Sequence, residues 1–232
     1  MAIITLFHGS IDKIEVPSYL LGKPNNDYGK GFYCTQDIEL AKEWACKQNT
    51  DGYVNEYNLD LDGLRILDLL NGEYNILNWI ALLLKYRTFT IEDEIALDAK
   101  EYILKNYLID LSNYDVVIGY RADDSYFSFA YSFVSNSLPI KGLTKALELG
   151  KLGTQVALIS KTAFTHLKYI SCEKVDGKIY FSKFSSRDSL ARDTYKKVIK
   201  KQKSYKEDIF IMDILRQEIK EDDPRIQRML HK

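Results

Sequence analysis

Cysteine is scarce in this chain, with Cys34, Cys46 and Cys172 the only three among 232 residues. An odd count without metal-ligand or redox spacing excludes a disulfide framework and points to a reducing compartment with buried packing thiols. Histidine is as sparse: His8, His166 and His231 stand far apart, so a histidine-rich metal site has little material to draw on. The four prolines (Pro17, Pro24, Pro139, Pro224) all fall between periodic segments. No apolar run approaches the roughly 20 residues that span a bilayer. The start, M-A-I-I-T-L-F-H, has no basic leader and enters a strand-like run at once, so the expected location is cytoplasmic. An excess of either charge is missing too. Thirty-two Lys and Arg stand against 33 Asp and Glu, a net charge of -1, so no global field recommends nucleic acid or an anionic membrane as partner. Also absent are G-x-x-x-x-G-K-[ST], a G-x-G-x-x-G after a strand, H-E-x-x-H, C-x-x-C and G-x-S-x-G. Phosphate-loop enzymes, zinc proteases and serine hydrolases therefore have no sequence support.

What is present is a hydrophobic content of 46%, enough for one well-cored domain with an appendage. Strand patterns fall at Ile3 to Phe7, Gly31 to Thr35, Tyr53 to Leu59, Leu64 to Leu69, Asp115 to Tyr120, Gln155 to Ser160 and Leu167 to Cys172. Thr35 or Asp37 can cap a helix whose Ile38, Ala41, Trp44 and Ala45 share one face. Helices are expected at Tyr74 to Arg87, nearly apolar all round and so buried, and at Glu92 to Leu108, Tyr126 to Val134 and Leu143 to Leu149. Asp176-Gly177 reads as a tight hairpin turn within Lys174 to Lys183. Strands and helices do not strictly alternate, which favours an α+β layered domain over a doubly wound parallel sheet.

Near Ser185 the character changes. Lys196, Lys197, Lys200, Lys201, Lys203 and Lys206 arrive with no acid between them, followed by an amphipathic run from Ile209 to Ile219. The expected organisation is a domain over residues 1–184 and a helical C-terminal extension over 185–232. The lysines are either a solvated helix face or a local patch for a phosphate backbone or an acidic protein.

Read one at a time, the candidate residues are modest. His8 ends an apolar strand before Gly9-Ser10, where a side chain can enter a cleft while the backbone turns away; a structural histidine is the plain alternative. Tyr33 is one of 17 tyrosines, for which a core aromatic is the default. Gln155 alone reads as the solvent-side residue at the start of a strand.

The ordered set is more specific. A strand ending in His8-Gly9-Ser10 is followed by D27-Y-G-K-G-F-Y-C-T35, a helix containing Ala41 and Ala45, Y57-N-L-D60, Y114-D-V-V-I-G-Y-R-A-D-D124, and T154-Q-V-A-L158 ahead of L167-K-Y-I170. Over roughly residues 3 to 183 this resembles the ADP-ribosyltransferase superfamily, in its diphtheria-toxin and poly-ADP-ribose polymerase branch. The detailed pattern looks closest to a bacterial family catalogued as a domain of unknown function. The resemblance implies two packed mixed or antiparallel sheets forming an NAD cleft, with inserted helices.

It also implies roles. NAD is the expected co-substrate, with no metal. Tyr33 offers a stacking face to the nicotinamide cation. His8 hydrogen-bonds the ribose of the adenosine half, the Gly9 main chain binds the nicotinamide amide, and Ser10 and Lys30 neighbour the phosphates. Breaking the nicotinamide–ribose bond passes through an oxocarbenium-like state that calls for negative charge or acceptors. Where the polymerases carry a glutamate, this chain has Gln155, which can accept from a ribose hydroxyl but is neither a charge nor a base. Either Asp123 and Asp124 supply the carboxylate, or one of them caps the following helix and catalysis is weak or absent. Arg121 either binds a phosphate or pairs with one of these aspartates.

Two functions follow. One is a toxin- or defence-type transferase that moves ADP-ribose from NAD to a protein or nucleic-acid acceptor, with an antitoxin or immunity protein as a further partner and no membrane. The other is an NAD-binding, ADP-ribose-binding or protein-interaction module that has lost the reaction.

Overall fold

A computed structural model of the chain describes residues 2–19, 21–88, 90–91, 93–122, 124–149, 153–201, 208–217, 219, 223–224 and 226. Asp123, Lys203, Lys206 and His231 lie outside the described residues, as do the side chains of Asp124, Lys197, Lys200 and Lys201.

The described residues form an α+β structure with two sheets. The first sheet has the order β1-β3-β7, from Ile3–Ser10, Gly52–Asp60 and Leu167–Val175, and is antiparallel throughout. The second has the order β2-β6-β5-β4, from Phe32–Cys34, Thr154–Leu158, Val116–Tyr120 and Ile66–Asp68, with β4 and β5 its parallel pair. An isolated bridge between Phe7 and Thr35 joins β1 to the end of β2.

Alternation along the strands explains what each face covers. Leu6, Tyr57 and Leu59 of the first sheet share a buried core with Phe32, Cys34, Val116, Val156 and Leu158 of the second. The opposite parity of β1 and β3 faces helix α1 (Ile38–Ala45), where Val54 packs with Ala41 and Ala45, and Phe7 lies against the same cluster. The approach is close: a Cβ on Gly9 would stand 2.0 Å from the Ala41 carbonyl oxygen and 2.6 Å from the Ala45 nitrogen. The small residues at 9, 41 and 45 are what let the helix sit on the strands.

Asp37 caps α1, its carboxylate accepting from the Glu39 and Leu40 amides. The helix buries Leu40, Ala41 and Ala45, whereas Ile38 is exposed, so the apolar face is turned from the one the spacing predicts. The expected hairpin at Asp176-Gly177 is instead the start of a helix, α7 (Gly177–Lys201), which follows a short α6 (Lys161–Thr165) and β7. Asp176 Oδ1 accepts from the Lys178 and Ile179 amides, so the aspartate acts as an N-cap, and the Gly177 amide donates to Asp51.

The chain divides into two compact units. The first comprises residues 1–70, 110–121 and 153–188, and so holds both sheets. The second takes residues 71–109 and 122–152 together with 189–232, grouping the inserted helices with the C-terminal segment. It contains α2 (Ile76–Tyr86), α3 (Glu94–Tyr107), α4 (Asp124–Val134), α5 (Ile140–Leu149) and α8 (Ile211–Gln217). Helix α2 is buried from Ile76 to Leu84, as its apolar circumference predicts. Asn75 and Asn78 form its capping box, and Asn78 also donates to the Tyr107 carbonyl. Lys196 of the basic run lies on α7 and is exposed.

Candidate functional site

His8 stands on the face of β1 that carries Leu6, so its ring points toward the second sheet and stacks on Phe32 with centroids 4.2 Å apart. Its Nδ1 lies 2.7 Å from the Tyr33 carbonyl oxygen. A carbonyl can only accept, so in the neutral ring Nδ1 carries the proton and Nε2 is left as an acceptor. Burial lowers the imidazole pKa, partly offset by that backbone bond, so the neutral form is the one present near pH 7. Phe7 exchanges both backbone hydrogen bonds with Thr35. By alternation, the N–H and C=O of Gly9 emerge on the same edge of β1 as those of Phe7, away from β3.

Ser10 is differently placed from a free hydroxyl. It donates to the Asp12 carbonyl and accepts from Asn55 Nδ2 at 3.1 Å. Asn55 is fully buried in β3 and organises the turn after β1: its Oδ1 accepts from the Ile14 amide at 2.8 Å, and its Nδ2 also reaches the carbonyls of His8 and Asp12. Tyr57 adds a hydroxyl bond to the Ile14 carbonyl. A buried asparagine with both ends engaged holds a loop more strictly than the strand pattern alone implies.

The glycine turn packs on the second sheet. Phe32 and Cys34 face the shared core, so Tyr33 between them projects from the opposite side, the side that also carries Gln155 and Ala157 of β6. The Tyr33 hydroxyl donates to the Gly29 carbonyl at 2.7 Å and accepts from the Tyr28 amide at 3.0 Å. Its ring lies nearly parallel to Tyr28, at 13° and 6.4 Å. Tyr28, fully buried, donates to the Tyr120 carbonyl at 2.7 Å. That position requires Gly119, because a Cβ there would meet the Tyr28 hydroxyl at 2.3 Å. Lys30 is exposed. Burial pushes the Cys34 thiol pKa up, as befits a packing residue.

Gln155 is inside, not on the solvent side that its place at the strand start suggests. It retains 3% exposure, and its Nε2 donates to Asp27 Oδ2 at 2.8 Å and to the Tyr120 carbonyl at 3.2 Å. Asp27 is itself buried, at 5% exposure. Asp27 opens the D27-Y-G-K-G-F-Y-C-T35 stretch, but that pattern assigns it no role. The one available signal was an acid directly ahead of the Tyr-Gly turn, and such residues ordinarily serve turns.

The structure thus brings His8 to the backbone of Tyr33, and brings Gln155, Asp27, Tyr28 and Tyr33 into one connected group. Arg121, at the end of β5, lies with its guanidinium 4.6 Å from the centre of the Trp44 ring, a cation–π contact. Asp124 is the first residue of α4, in the second unit. Among the described residues, no group of three or more His, Cys, Asp or Glu is arranged to hold a metal ion, and no helix is long and apolar enough to cross a membrane.

No curated protein and no solved structure matches the chain. A family profile does, from β1 into β7. It is described as "Protein of unknown function (DUF3990)" and covers residues 4–169, well over half of the sequence, so the chain belongs to that family.

Proposed function

We propose that the protein is an NAD-dependent ADP-ribosyltransferase with the fold of the superfamily it resembles. In the proposed reaction, an acceptor nucleophile displaces nicotinamide at the anomeric carbon of NAD. The bond to the ring nitrogen breaks with its electron pair leaving on nicotinamide, the acceptor gains ADP-ribose, and its proton passes to solvent.

The observation that carries this reading is the 2.7 Å bond from His8 Nδ1 to the Tyr33 carbonyl. It joins the H-G-S strand to the G-K-G-F-Y segment and leaves the imidazole Nε2 as an acceptor, the chemistry a ribose hydroxyl needs. Two further features support it. The Gly9 N–H and C=O, on one strand edge, match the acceptor and donor of a nicotinamide carboxamide. The exposed Lys30 offers a cation for a diphosphate. Ser10 contributes little to that role, since its proton is already given to the Asp12 carbonyl.

A second reading is favoured by Gln155. Both of its N–H groups are taken by Asp27 and the Tyr120 carbonyl, and an amide supplies no base, which suits a module that binds NAD or ADP-ribose without turnover. Incubating the purified protein with labelled NAD and cell lysate separates the two. Nicotinamide release with labelled protein or nucleic-acid acceptors supports the transferase; NAD binding without release ends it. Loss of activity in Asp124→Ala, with Gln155→Ala fully active, would assign the carboxylate role to the acidic pair. A toxin- or defence-type effector with an inhibitory partner is the biological setting that this reading carries. It rests on the resemblance, and a small protein that co-purifies and blocks nicotinamide release would bear it out.

A further inference from the structure

The contact between Asp27 and Gln155 does more than fill space. Gln155 Nε2 faces two oxygens, a carboxylate and a backbone carbonyl, and neither can donate to an amide oxygen in that position. The amide is therefore held in one of its two orientations, with nitrogen toward Asp27 and Oε1 turned the other way. We propose that Asp27 is a positioning residue of the NAD site: its carboxylate orients Gln155 so that only Oε1 is offered to the ligand, and the negative charge that a glutamate at 155 would carry resides at 27.

This inference rests on the transferase reading and concerns the same site. Its chemistry is that of a polarised pair. An ionised acceptor strengthens the hydrogen bond from the amide and makes Oε1 a better acceptor for a ribose hydroxyl. Positive charge developing on the ribose is then met by an acceptor backed by a buried carboxylate instead of by a carboxylate in direct contact. The pair also accounts for glutamine at 155. Two carboxylates 2.8 Å apart cannot both ionise, so a glutamate there is incompatible with an ionised Asp27.

The test uses the full chain in four versions: wild type, Asp27→Asn, Gln155→Glu, and the exchange that combines the two. Thermal denaturation gives Tm, and nicotinamide release from NAD gives kcat and KM. The expected result is that Gln155→Glu lowers Tm by about 5 °C or more and that the exchange recovers part of the loss, the contact with residue 27 being restored while a carboxylate oxygen still faces the Tyr120 carbonyl. Asp27→Asn lowers Tm by less than Gln155→Glu does, because its side-chain oxygen still accepts from Gln155. Its kcat falls about tenfold or more while KM changes by less than about threefold, and the exchange returns kcat to within about threefold of wild type.

A Gln155→Glu variant with unaltered Tm overturns the proposal. So does an exchange no better than Gln155→Glu alone, or an Asp27→Asn variant with full kcat. A wild type that neither binds nor cleaves NAD, with Tm values that still show coupling, overturns the NAD reading and the positioning role with it. An active wild type with uncoupled Tm values overturns the pair alone.

Discussion

His8 donates its Nδ1 proton to the carbonyl of Tyr33 across the boundary between the two sheets, at 2.7 Å, while its ring lies on Phe32. Burial of the imidazole lowers its pKa below the ordinary value near 6.5, and the backbone bond opposes this only in part. As pH falls, the unfolded chain therefore takes up this proton before the folded one. The stabilisation is complete above about pH 6.5 and declines as pH drops below it toward the folded pKa. Melting temperatures at pH 7, 6 and 5 should fall more steeply for wild type than for His8→Asn, whose amide nitrogen can take the place of Nδ1. Parallel slopes for the two proteins would refute a neutral, half-buried His8.

Gly119 and Tyr28 form a steric pair. Gly119→Ala would put a Cβ 2.3 Å from the Tyr28 hydroxyl, and overpacking of this kind costs about 1–3 kcal/mol. Tyr28→Phe alone gives up the bond to the Tyr120 carbonyl, about 1 kcal/mol. In the double variant the closest contact is gone, leaving Leu69 Cδ1 at 3.0 Å and Tyr28 Cζ at 3.2 Å, so urea denaturation should show a loss smaller than the sum of the two single losses.

Asn55 holds the turn after β1 through four hydrogen bonds, to His8, Ser10, Asp12 and Ile14. Asn55→Ala leaves the part-buried Ile14 amide and the His8 and Asp12 carbonyls without this partner, at a cost of about 1–3 kcal/mol, and should open residues 11–14 to limited proteolysis before the rest of the first unit. Asn55→Asp should be at least as damaging at neutral pH, because a carboxylate would then face the His8 and Asp12 carbonyls.

Asp115 is buried at the start of β5 and receives a forked contact from Arg65, Nε to Oδ2 at 3.0 Å and Nη2 to Oδ1 at 3.2 Å, together with the Arg65 amide. The guanidinium holds the carboxyl pKa well below the usual carboxylate range, against the opposing effect of burial. For a depressed carboxyl the contribution is present above the unfolded pKa, about 3.9, and is lost as pH falls toward the folded one. Asp115→Asn should cost about 2 kcal/mol at pH 7, and the gap from wild type in acid-titrated chemical denaturation should narrow below about pH 4.

Much of the architecture was legible because it depends on local periodicity. The circumference of Ile76–Tyr86 is apolar, so α2 is buried; the alternation in Gly52–Asp60 gives β3 two different neighbours, α1 on one side and the second sheet on the other. Local signals failed where the same residues serve two structures. Asp-Gly suits a hairpin turn and a helix N-cap alike, and at 176–177 the pairing of Gly177 with Asp51 goes with the cap. The candidate site was legible in His8, Tyr33 and Gln155 as members of an ordered pattern. It was not legible in Asn55 or Asp27, whose importance lies in partners 41–47 and 128 residues away.

By itself, then, the sequence determined the α+β class, most of the strands and the buried helix α2, since apolar spacing and caps act within a turn or two of chain, but not the face that α1 buries or the start of α7. Only the tertiary structure decided that Gln155 is buried instead of facing solvent, that its amide nitrogen is turned to Asp27, and that Ser10 is already bonded. The physical reason is that a polar side chain removed from water must find partners wherever the fold has left them, and no spacing along the chain specifies which distant group will be there.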